Sequence, residues 1–263
     1  EDLKKLQHEH AVLIGRYEIA RFEQDKITKD IDRLKEILIP IKADVYFFQE
    51  CTKGMLKAVY EMFGDEYIIH DTFLDELMDT TILWNPRTHE CVKTGYFWLS
   101  DTPTEYSRSW DNFRRYCNYV SLKDRKTGKC FTCISVHVGI HDDTQEKSAK
   151  LLCDYVEKIT GFPTIIAGTF NARPDSQAYK IMCEKYIDVN AVTAKDYRTT
   201  YHKYEPHLWP DDHVDYCFVS KEITPVSYKM LDKRYPQVPG RNPVKYLHRY
   251  PSDHYGLECE IEL

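Results

Sequence analysis

The chain has 263 residues, 42% hydrophobic and 30% charged. A chain of this kind can bury about three quarters of its unfolded surface without needing a disulfide or metal to fold. Its net charge of −6 excludes a generally basic nucleic-acid-binding surface but leaves room for a local cationic groove. No run of 18 apolar residues occurs, which excludes a membrane-spanning helix, and no signal-peptide pattern opens the sequence.

Ala11 to Ile19 reads as a first strand, and Thr28 as the cap of a helix through Ile31, Leu34, Leu38 and Ile41 that Pro40 disturbs at its end. Ala43 to Glu50 is an apolar strand with an abrupt polar finish, and Lys53 to Phe63 a second helix. Strands follow at Tyr67–Ile69, Thr81–Trp84, Tyr96–Leu99, Asn118–Leu122 and Phe131–His137. A long amphipathic helix from Thr144 to Ile159 has Thr144 near its cap. It is followed by a buried strand, Thr164–Ala167, and a helix, Ser176–Glu184. Val214–Val219, Val226–Met230 and Tyr255–Ile261 complete the strands.

Many of these connections are too short for parallel crossovers. The pattern therefore predicts an α/β domain of two mixed, mostly antiparallel β-sheets packed face to face, with helices on the outer faces. No linker or repeat divides residues 1–263, so a single domain is expected. Nine cysteines without framework spacing read as reduced thiols in a cytoplasmic or other reducing intracellular compartment. Cys130 and Cys133 form a C-x-x-C pair, but their apolar, alternating surroundings place them in a strand rather than a zinc site.

Several apolar strands end in compact polar groups: Gln49-Glu50, His137, Gly168-Thr169-Phe170-Asn171, His213-Val214-Asp215 and Ser252-Asp253-His254. Strand ends are where a rigid sheet presents functional groups. Each group alone reads as a solvated acid or a hydrogen-bonded core histidine. Together, carboxylates, imidazoles and an amide suggest a divalent-cation site for phosphate chemistry. Mg²⁺ takes oxygen ligands, commonly one or two carboxylates with water and substrate phosphate. A histidine oriented by an aspartate can act on water or on the phosphate.

The order and content of these motifs resemble the endonuclease/exonuclease/phosphatase superfamily along nearly the whole chain. FFQE at 47–50 resembles L-Q-E, and SVHVG at 135–139 resembles the T-H-L-D strand. IIAGTFNARPDS resembles I-x-G-D-F-N-x-x-P-x-S, HVDYCFVS resembles I-D-Y-I-F-V-S, and PSDHYGLECEIEL is similar to the terminal S-D-H-Y-P-V. The resemblance implies a four-layer sandwich and a Mg²⁺- or Mn²⁺-dependent phosphoesterase. It implies that Glu50 binds the metal, that His137 contacts the scissile phosphate, and that Asn171 orients phosphate or water. Asp215 would support the site, Asp253 would orient His254 or touch metal, and His254 would act on the phosphate or the nucleophile.

Three positions depart from the pattern. Thr169 stands where the family has the aspartate of G-D-x-N, and a hydroxyl has no useful pKa for general-base work. Glu18 replaces an asparagine and is a candidate compensating metal ligand. Gly139 stands where T-H-L-D has its aspartate. Either the hydrolase is weakened or altered, or the protein is a pseudoenzyme that binds nucleic acid, a phosphorylated ligand or a protein partner without cutting. On the substrate side, Arg108, Trp110, Arg114, Arg115 and Tyr201 could pair guanidinium with phosphate and stack on a base or sugar. The segment Asp232 to Tyr250 is locally cationic and could rim the cleft. The expected substrate is a phosphoester of a nucleic acid, nucleotide or phospholipid headgroup, acted on by a monomer.

Overall fold

Successive side chains of the central strands point to opposite faces of the sheet and are buried on both, which sets the layers. The computed structural model describes residues 27–72, 80–205, 208, 211–236, 238–239, 246–247 and 250–263. The chain divides into two compact units: Glu1–Ile41 with Lys233–Asp253, and Lys42–Asp232 with His254–Leu263.

In the smaller unit, residues 27–38 are helical (α1) and run into a 3-10 turn, Ile39–Ile41. Ile27 is already helical, so Thr28 lies within the helix and does not cap it. The expected disturbance at Pro40 is the 3-10 turn. Tyr235 donates to the Arg33 carbonyl and to Glu36, which also pairs with Lys233 at 3.1 Å. The expected strand Ala11–Ile19 lies outside the described residues.

In the larger unit, β1 (Val45–Phe47), β2 (Ile68–His70) and β3 (Ile82–Trp84) form an antiparallel sheet in the order β1-β3-β2. Between β1 and β2 runs α2 (Lys53–Phe63), capped by Thr52. Then come β4 (His89–Trp98), β5 (Tyr116–Asp124), β6 (Cys130–His137), α3 (Asp142–Thr160), β7 (Thr164–Thr169) and α4 (Gln177–Lys185). After them follow β8 (Ile187–Asp188), α5 (Val189–Val192), β9 (Asp215–Val219) and β10 (Thr224–Leu231). The short β11 (Val238–Pro239) and β12 (Tyr246–Leu247) pair in the smaller unit, and β13 (Gly256–Glu262) pairs with β10 in the larger.

The main sheet has the order β4-β5-β6-β7-β9-β8. Only β6 and β7 pair in parallel, and α3 is the crossover that parallel pairing requires. Odd-numbered residues of β6, β7 and β9, such as Phe131, Cys133, Ile165, Cys217 and Val219, with even-numbered Val120 and Leu122 of β5, face β1, β3, β10 and β13 across one core. Even-numbered residues of β6, β7 and β9, such as Ile134, Val136, Ile166 and Phe218, face α3 and α4 through Leu152, Val156 and Met182. Tyr46 of β1 turns the other way and meets Phe63 of α2, ring centroids 4.8 Å apart. The layers are therefore helix, sheet, sheet and helix, as expected.

Candidate active site

Adjacent strands bring His137, Thr169 and Asp215 side by side. Parallel pairing sets His137 beside Thr169, and antiparallel pairing sets Thr169 beside Asp215. All three are odd-numbered positions on the face turned toward the smaller sheets, at one end of the main sheet. Gly168 makes the close approach possible. Its φ is +138°, and a Cβ there would lie 2.2 Å from the Val136 carbonyl oxygen.

Asp215 is the hub. Thr169 Oγ1 donates to its Oδ1 at 2.7 Å, and His254 Nδ1 donates to its Oδ2 at 2.8 Å. The His254 ring stacks on Tyr201 at 4.5 Å between centroids, and the two backbones form a β-bridge. The Lys203 ammonium lies 5.1 Å from the centroid of the same Tyr201 ring. Thr200, fully buried, accepts from the backbone N–H of Val214 and of Asp215. Burial is the largest influence on the Asp215 carboxyl and raises its pKa. Attraction to His254 and hydrogen bonds from His254, Thr169 and Thr200 outweigh it and hold the carboxyl below the usual value.

His137 is pushed the other way. Burial first, then the positive charges of Arg115 and His254, lower its imidazole to about 3 against the opposing pull of Asp215. It is therefore neutral near pH 7. Glu50, held in a left-handed conformation at φ 55°, has its exposed carboxylate 3.7 Å from His137 Nε2. Asn171, also left-handed, donates from Nδ2 to the Val138 carbonyl at 2.7 Å, while its own carbonyl accepts from Gln145.

The loop before β5 carries the other expected residues. Arg108 is exposed and donates to the Tyr106 hydroxyl. The Arg114 guanidinium lies over the Tyr106 ring. Trp110 packs against the helix-side core and donates to Asp101. Arg115 Nε donates to Asp111 Oδ2 at 3.3 Å. Asp253 belongs to the smaller unit and Glu18 lies outside the described residues, so neither enters this geometry. Lys233 of the expected cationic rim is paired with Glu36, and Arg241, Lys245, His248 and Arg249 lie outside the described residues. Sequence reasoning missed Thr200 and Asp111. Thr200 carries no local signal, because its partners Val214 and Asp215 are brought in by the fold; Asp111 bonds to its sequence neighbours Phe113 and Arg115 but lies in a segment dominated by cations and aromatics.

Among the described residues, no group of three or more His, Cys, Asp or Glu side chains assembles as a metal cage. The donor set fits a sparser mode, in which one carboxylate is supplemented by water and substrate phosphate. Both Asp215 oxygens accept hydrogen bonds, whereas the Glu50 carboxylate is exposed. All nine cysteines are free thiols, with Cys130 and Cys133 in β6 as expected. No described helix is long and apolar enough to cross a membrane.

This layered sandwich, with polar groups gathered at its strand ends, has the fold of endonuclease/exonuclease/phosphatase proteins. A Bacteroides thetaiotaomicron mannosyl-6-phosphatase superimposes with a TM-score of 0.81 at 22% identity, covering 93% of this chain and 95% of that one. An endonuclease/exonuclease/phosphatase protein from Bacteroides vulgatus gives 0.76 at 20% identity over 89% and 90%. The human Nocturnin catalytic domain, solved with bound sulfate, gives 0.67 at 15% over 89% and 86%. No protein-family model and no curated protein matches the sequence.

Proposed function

We propose that the protein is a Mg²⁺- or Mn²⁺-dependent phosphoester hydrolase whose chemistry runs through His254. The observation that carries this reading is the chain of hydrogen bonds from Thr169 through Asp215 to His254, next to a neutral His137. With Nδ1 committed to Asp215, His254 exchanges protons through Nε2, taking one from water or giving one to the leaving oxygen. His137 contributes a hydrogen bond to the phosphate without adding a proton of its own. Arg115 offers its guanidinium to the phosphate oxygens. Thr169, a donor to Asp215, keeps that carboxylate ionised and aimed and is not itself the base. Glu50 would hold the cation, which when bound neutralises charge developing on the phosphate.

The substrates that suit this site are small or flexible phosphate esters: nucleotides, single-stranded nucleic acid, phospholipid headgroups, and sugar phosphates of the kind cleaved by the mannosyl-6-phosphatase of similar fold. An acidic protein with only local positive charge favours these over a long duplex. The test is turnover of such a panel with Mg²⁺, Mn²⁺ or EDTA, for the parent and Glu50→Ala. Cation-dependent turnover lost in Glu50→Ala supports the reading, and turnover indifferent to both refutes it.

One observation favours binding without hydrolysis: a hydroxyl at 169 brings no charge to a cation, and both Asp215 oxygens are engaged. A silent parent that gains turnover as Thr169→Asp would establish that second reading.

A further inference from the structure

We propose that Asp111 is a positioning residue that holds Arg115 at the phosphate-binding edge of the site, in a slot that exists because residue 139 has no side chain. The proposal rests on the reading of Arg115 as a phosphate-binding residue. A Cβ added at Gly139 would lie 2.5 Å from Asp111 Oδ2 and 2.7 Å from Thr144 Cγ2, distances that real side chains do not adopt. The glycine therefore admits the Asp111 carboxylate against the end of β6. The carboxylate is fixed there on both sides: Oδ1 accepts from the Phe113 N–H at 3.2 Å, and Oδ2 accepts from Arg115 Nε at 3.3 Å. The loop around it is pinned in turn, since Thr144 Oγ1 donates to the Trp110 carbonyl at 2.8 Å.

Both partners are nearly buried, with Asp111 7% and Arg115 10% exposed in their side chains. The β5–β6 register pairs Asn118 with Ser135. Continued by three places, it sets the Arg115 backbone across from Val138, one residue beyond His137 and on the helix-side face, from where the Arg115 charge still reaches the His137 ring around the strand end. The Asp111 bond uses Nε, and no described residue accepts a hydrogen bond from either terminal guanidinium nitrogen. A guanidinium gripped at Nε presents its terminal fork, the geometry that matches two phosphate oxygens.

The sign of the effect separates positioning from plain electrostatics. Asp111 is an anion, so removing it would strengthen phosphate binding if only charge mattered. A positioning role predicts weakening. Inorganic phosphate is titrated by calorimetry into metal-free protein at low salt, for the parent, Asp111→Ala, Arg115→Ala, the double variant and Gly139→Ala, each checked for folding by circular dichroism. The expected result is roughly tenfold weaker binding in Asp111→Ala and Gly139→Ala. The double variant should be no weaker than Arg115→Ala alone, because Asp111 acts through Arg115. If Asp111→Ala does not fold, Asp111→Asn, which keeps the shape, carries the same expectation of weaker binding. Unchanged or tighter binding in a folded Asp111 variant overturns the proposal, as do additive losses or a parent that binds no phosphate. Ester turnover with added cation, measured separately on the parent, tells whether the hydrolase reading survives that result.

Discussion

At position 169 a hydroxyl does what an ionised carboxylate could not: it donates a hydrogen bond to the buried Asp215. Thr169→Val removes that donor and leaves an acceptor less satisfied, at a cost of about 1–3 kcal/mol in urea unfolding; an unchanged midpoint would show that the bond contributes nothing. Thr169→Asp instead sets a second carboxylate against an ionised one, so one of the two must take up a proton or attract a cation. This variant should be less stable than Thr169→Val in EDTA and regain stability with millimolar Mg²⁺; equal melting with and without the cation would contradict the reading. His137 gives a pH signature. Its folded pKa of about 3 lies below the ordinary 6.5, so below pH 6.5 the unfolded chain binds a proton that the folded chain does not. The stability it contributes is complete above pH 6.5 and is lost as pH falls toward 3, with a slope of up to about 1.4 kcal/mol per pH unit. His137→Asn should flatten that slope in metal-free buffer between pH 6.5 and 5; parallel slopes for variant and parent would refute it. The residue types of the site were legible in the sequence because polar groups ending apolar strands stand out. The bond from Thr169 to Asp215 was not, because it joins residues 46 apart. Asp111 was hidden inside a segment whose cations and aromatics drew the attention.

At the scale of elements, the strands that bury both faces were the legible ones. β6 begins one residue before its expected start and β9 one residue after, since nearly every side chain in them is buried. β4 was expected only over Tyr96–Leu99 but begins at His89. Its first half lies at the sheet edge with most side chains exposed, so no alternation marks it. The long helix α3 starts at Asp142, two residues before the expected cap. Its N-cap is His141, which makes no side-chain cap bond, and Thr144 is buried with its hydroxyl turned to Trp110. Ser176, by contrast, caps α4 by accepting from the Tyr179 N–H, as a serine before an amphipathic stretch should. β8 and α5, of two and four residues, are too short to carry a period. The element on which the site most depends is β7, and its weak point is Gly168. Gly168→Ala should lower stability by more than about 2 kcal/mol, because a Cβ would drive into the Val136 carbonyl at a φ few side chains adopt. A urea midpoint equal to the parent's would contradict the backbone assigned there.

Across the whole molecule, the chain is acidic, with a net charge of −6. The layer order was legible because alternation along the strands fixes which residues face which core, and that alternation carries His137, Thr169 and Asp215 to the same face. The assembly claim is tested most directly by hydrolysis of bis(p-nitrophenyl) phosphate and p-nitrophenyl phosphate in Mg²⁺ or Mn²⁺, comparing the parent with His254→Ala. If His254 is the proton-transfer group held by Asp215, the substitution lowers kcat by about 10²- to 10⁴-fold while the protein stays folded. Undiminished turnover in folded His254→Ala, or a parent inert toward both esters with either cation, would contradict the account.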